Sequence, residues 1–195
     1  MRNLLIMRQL LFLVAVMGAL AIGRAEEPTA LKTNSMAIGL PGTLEIVTPA
    51  GWTVTQTNLN LADKPMTYEL WDEHKTVGIR FYIRWDGFGG KAIKPNAKEM
   101  ARIVDNVVTA QWMPIAVEPT FKLEPLKGPA VTGVYARITD RTWSPVVLNT
   151  FPNVTEGMFR CGSIWGNFNV LSTGKDGPGF KSALKVLESL RRTKP

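Results

Sequence analysis

The chain holds one cysteine, Cys161, and one histidine, His74, in 195 residues. A single cysteine makes no internal disulfide, so the fold must rest on its apolar core. A histidine without a second histidine or a cysteine at ligand spacing is a poor metal site. His74 lies within Asp72-Glu-His-Lys75, which reads as a solvated turn between two strands. A Cys161–His74 dyad would require the two to meet in space, and an isolated cysteine inside an apolar strand behaves as a small buried residue. No G-x-S-x-G elbow is present, and a Ser-His-Asp triad would have only His74 to use. No lysine/arginine block exists, which argues against nucleic acid as a partner. Repeats and low-complexity tracts are missing as well.

What is present begins with an export signal. Arg2 and Arg8 precede an uncharged apolar run from Leu10 to Ile22, and Gly23-Arg24-Ala25 places small residues before the acidic pair Glu26-Glu27. These are the three parts of a signal peptide over residues 1–25. The run is shorter than the ~20 residues of a spanning helix, and no cysteine stands at the cleavage point. Cleavage would leave about 20 basic residues against 16 acidic ones, a net charge near +4. That mild basicity suits anionic envelope surfaces. Residues 26–34 are polar, carry Pro28 and read as a flexible lead-in to a single domain over 35–195.

Within that domain Leu44 and Ile46 alternate with Thr43 and Glu45, and Thr76–Trp85 repeats the period-two pattern of a half-buried strand. Thr53–Thr57 and Met66–Trp71 are further strands. Met100, Ile103, Val104, Val107, Val108 and Trp112 fall at helical spacing, predicting a helix over Asn96–Trp112 between Pro95 and Pro114. Strands are expected at Thr120–Leu123, Ala130–Trp143 and Met158–Ser172, then a helix over Gly179–Arg192 with its basic residues near the C-terminal dipole. The order predicts an α+β domain, a mostly antiparallel sheet flanked by helices.

Gly87-Phe-Gly-Gly-Lys-Ala92 matches a dinucleotide-binding fingerprint, but Pro95 and Asn96 put the helix too far downstream and the preceding strand alternates. No cofactor is expected. The same loop sets two aromatic rings on a glycine-rich hinge, so Trp85, Asp86, Phe88 and Lys91 form the candidate binding surface. Asp86, Glu118, Asp140 and Glu156 are the acids available to a folded carboxylate pair. Asn153-Val-Thr matches a glycosylation sequon. Six tryptophans are many for this size, and core packing is the expected use of most.

The segment Leu44-Glu-Ile-Val-Thr-Pro-Ala-Gly-Trp52 resembles the opening of PsbP-like domains, and Phe180-Lys-Ser-Ala-Leu-Lys-Val-Leu-Glu-Ser-Leu-Arg191 resembles their terminal helix. That resemblance implies an α-β-α sandwich. It also implies kinship with largely non-enzymatic accessory proteins, photosystem subunits and a regulator of a nuclear-transport GTPase among them. It carries no catalytic or metal residue onto this chain. The expected function is an exported, periplasmic or extracellular, non-enzymatic module that binds an envelope protein or cell-surface component. The alternatives are a small envelope hydrolase with carboxylates assembled by folding, or a carrier of an apolar ligand in an internal cavity. Mass spectrometry of the protein recovered from the envelope should find a chain starting at Glu26; a chain retaining Met1 would refute the cleaved signal.

Overall fold

The computed structural model describes residues 30–39, 41–57, 65–90, 94–146 and 150–193. The signal peptide, most of the lead-in before Ala30, and Lys91 lie outside the described residues.

The described residues form ten strands and two α-helices: β1 Leu31–Ala37, β2 Thr43–Pro49, β3 Thr53–Gln56, β4 Met66–Trp71, β5 Val77–Trp85, α1 Ala97–Val107, β6 Glu124–Lys127, β7 Thr132–Thr139, β8 Asn153–Cys161, β9 Ile164–Ser172, α2 Pro178–Glu188 and β10 Arg191–Thr193. All pairings are antiparallel. Seven strands form the central sheet in the order β3-β4-β5-β9-β8-β7-β6, and β1-β2-β10 form a second, smaller sheet. This is the α+β sandwich that the alternating strands imply.

One face of the central sheet is mostly apolar, with Arg137 and Glu124 paired on the same face at its β6–β7 edge. Ile79, Phe81 and Ile83 of β5 meet Phe159 of β8, Phe168 of β9, the α2 residues Phe180, Ala183 and Leu187, and Leu44 and Ile46 of the small sheet in one buried cluster. Gly157 makes room in it, because a Cβ there would lie 2.3 Å from the Phe168 ring. The other face is apolar only where α1 sits. Met100, Val104 and Val108 pack on Ala136, Ile138, Met158 and Trp165, and α1 touches β7 and β8.

Several boundaries differ from the sequence expectation: β7 stops at Thr139 rather than Trp143, and β8 starts at Asn153 rather than Met158. Strand β1 begins at Leu31, inside the lead-in expected through Asn34. Its polar residues belong to an edge strand that pairs with β2 along its whole length and buries only Met36. The Thr120–Leu123 strand is instead β6 at Glu124–Lys127, where Pro125 is tolerated on a sheet edge. The long strand expected over Met158–Ser172 is a hairpin, β8 and β9 joined by Gly162-Ser163, with Gly162 at φ 62° as a two-residue turn requires. The last helix stops at Glu188 rather than Arg192. Ser189 Oγ receives the Val47 amide at 2.8 Å and donates to Val186 O at 2.6 Å. This turns the chain so that Arg191–Thr193 pairs with β2.

Replacing Gly157 by alanine should cost about 1–3 kcal/mol by overpacking. Chemical denaturation of G157A, of Phe168→Leu and of the double variant checks this. The double variant should recover part of the loss, and strict additivity would show that the two sites do not touch.

Candidate functional site

Register creates the site. Glu69 of β4 stands opposite Arg80 of β5, Arg80 opposite Asn169 of β9, and Asn169 opposite Glu156 of β8. Strand side chains alternate between faces, so this row points away from the large core, towards the face that carries α1. The neighbouring row on that face sets Tyr82 opposite Asn167, and the next sets Arg84 opposite Trp165. Over β4, β5 and β9 the face is therefore polar, while over β7 and β8 α1 covers it.

The cover ends in an irregular turn. The capping box of Asn96 and Glu99 opens α1, and beyond Val107 the helix widens into a π-turn over Val108–Trp112 before Pro114 removes a donor. Such wide turns recur at functional sites. Here the turn sets Gln111 and Trp112 beside the polar rows, and a groove of about 440 Å³ lies between them, lined by Arg80, Tyr82, Arg84, Glu156, Asn167 and Asn169 among others.

Glu156 is 7% exposed. Burial raises its carboxyl above the ordinary range, partly offset by Asn169, Trp112 and Asn167. Asn169 Nδ2 donates to Oε2 at 2.5 Å. Trp112 stands near enough to stabilise the charge, although its buried Nε1–H closes no full hydrogen bond. Arg84 donates to Asn167 Oδ1 at 3.3 Å and lies over the Trp165 ring at 5.6 Å. Burial lowers its pKa, and among the described residues no carboxylate forms an ion pair with it. Arg80 differs. Its Nε binds Glu69 Oε1 at 2.7 Å, and that pairing outweighs burial and raises its pKa.

A second groove of about 470 Å³ adjoins the first through Arg80 and Leu171, and includes Glu69, Trp71, Lys75 and Phe151. Trp71 donates to Glu69 at 3.2 Å and stacks on Phe151 with centroids 5.4 Å apart. Gly78 makes this possible, because a Cβ there would stand 2.3 Å from the Trp71 ring.

Among the residues singled out in the sequence, Glu156 lines the first groove, and Trp85, Asp86 and Phe88 lie outside both grooves. Trp85 packs partly buried against the large core and meets Phe88 edge-on at 4.8 Å. Asp86 pairs with Arg160 at 3.2 Å and Lys94 at 3.9 Å, and its amide donates to Ser163 O. Trp85 and Asp86 thus anchor the end of β5 to the β8–β9 hairpin. Of the other acids, Glu118 is half-buried, and that desolvation alone would raise its pKa. Hydrogen bonds from Lys175 and Thr139 prevail and hold it at about 2. Asp140 caps Thr142. Asn153 opens β8 with its amide donating to Ser172 O.

His74 is exposed in the β4–β5 turn, whereas Cys161 is buried beside Ile164, whose partner is Trp85 at the far end of β5. The length of β5, at ~3.3 Å per residue, separates the two, so they form no dyad. Among the described residues no group of three His, Cys, Asp or Glu could hold a metal, and no helix is long and apolar enough to cross a membrane.

No protein-family model matches the chain, and no curated protein matches it. Among solved structures, that of cyanobacterial PsbP from Synechocystis sp. PCC 6803 is similar to it over 90% of this chain and 99% of that one, with a TM-score of 0.49 and 11% identity. The resemblance to PsbP-like domains is one of architecture.

Because folding raises the Glu156 pKa, the folded state keeps this proton to higher pH than the unfolded chain does. Stability from this group is full below the ordinary value of 4.5 and falls as pH rises through the raised one. Glu156→Gln should melt higher than the parent near about pH 7, with the gap closing towards about pH 4. A constant gap across that range would place the carboxyl in water.

Proposed function

We propose that this chain is an exported, non-enzymatic binding module that recognises a cell-envelope component on the uncovered half of its central sheet. The observation that carries this reading is Arg84, a half-buried guanidinium on an open polar face with no carboxylate partner among the described residues. Two acids do face this side, but Glu69 and Glu156 sit three strand spacings apart. At ~4.8 Å per spacing that is ~14 Å, wider than the ~5–9.5 Å of glycosidase carboxylate pairs. Glu69 is also held by Arg80. A hydrolytic role is therefore the weaker reading.

One observation favours the carrier reading as a second choice. A groove of about 420 Å³ between α1 and the β6–β7 edge includes Met100, Leu123, Leu126 and Val134. Titrating the isotope-labelled protein with fractionated envelope extract separates the two. Under the first reading, one fraction moves the Trp112 indole and the Asn167 and Asn169 side-chain amide resonances. Movement confined to the Met100 and Val134 methyls would select the carrier, and movement of neither set would refute both.

A further inference from the structure

We infer that the ligand of this face is an acidic saccharide, its carboxylate on Arg84 and its hydroxyls on Asn167, Asn169 and Glu156; this rests on the binding reading above. The chemistry of the free groups carries it. Asn167 spends Oδ1 on Arg84 and turns its amide towards Glu156, which leaves it one further amide proton. Asn169 spends one proton on Glu156 and keeps its oxygen and a second proton. Glu156 contributes further acceptor capacity. Donors and acceptors therefore stand side by side along β9 and on its neighbours β5 and β8, ~4.8 Å away, an array that suits hydroxyl groups, which both donate and accept.

The aromatic side chains fit the same ligand. Trp112 forms a wall of the groove, and its buried Nε1–H lacks a full partner. The C–H face of a sugar ring packs against such a surface. Beyond Arg80, the adjoining groove adds Lys75 and the stacked Trp71–Phe151 pair, room for a second acidic ring. An extended peptide is the poorer fit. The site lies on a sheet face whose central strands β5 and β9 are paired on both sides, so no main-chain ladder is free for it.

Calorimetric titration of the purified protein with trigalacturonate, its methyl ester and triglutamate tests the inference. Trigalacturonate should bind, and the ester and triglutamate should each bind at least about tenfold more weakly. Arg84→Gln should weaken trigalacturonate binding by about tenfold or more, with Arg84→Lys retaining part of it. Should R84Q fail to fold, Asn167→Asp places a carboxylate beside Arg84 and should abolish binding with the ion pair intact. Three results would each overturn the inference: no trigalacturonate binding, equal binding of triglutamate, or affinity unchanged in these variants. If trigalacturonate fails while an envelope fraction still moves the Trp112 resonance, the saccharide is wrong and the binding face stands.

Discussion

Strand β5 is paired along its full length with β9 and over most of it with β4, and its two faces carry opposite chemistry. Ile79, Phe81 and Ile83 point into the large core; Arg80, Tyr82 and Arg84 point the other way. A slip of one residue in this register would drive two guanidinium groups into hydrocarbon, so the hydrophobic pattern holds the register strongly. Everything else follows from that alignment. It sets Asn167 and Asn169 of β9 beside the arginines, and through β9 it sets Glu156 opposite Asn169.

The covering layers then decide what stays open. Helix α2 and the small sheet close the apolar face. On the other face α1 is an eleven-residue helix resting on β7 and β8, and its π-turn leaves Trp112 at the border between dry and wet halves. A buried Glu156 and a half-buried Arg84 are costly in such a place unless each has partners. Their partners within the chain are amides and rings rather than opposite charges. Polar groups held this way cost the fold stability.

Much of the fold was legible in the residues. The alternation of Val77–Trp85, the helical spacing of Met100, Val104 and Val108, and the turn at Asp72–Lys75 all correspond to observed elements. The misreadings have local causes. Gly162-Ser163 is a hairpin signal hidden in one long strand-like stretch, and Pro125 masked an edge strand. The groove was harder to see, because Glu69, Arg80, Glu156 and Asn169 lie up to 100 positions apart in the sequence and meet only through strand order. The isolated polar residues of β5 and β9 were the available hint: Arg80, Arg84, Asn167 and Asn169 are more polar than a merely solvated strand face needs. Trp85 and Phe88 drew attention because only two residues separate them in the chain, and Trp85 packs partly buried against the core.

The pairing of β10 with β2 has a bearing on biogenesis. Arg191–Thr193 completes the small sheet, and Ser189 locks the end of α2 onto Val47. A chain made from its amino terminus offers β2 early and its sealing strand late. The apolar strip of Leu44 and Ile46 stays uncovered on that side until Arg191–Thr193 arrives. Closure of the small sheet is therefore a late event, and the order of synthesis sets when this edge of the core is shielded.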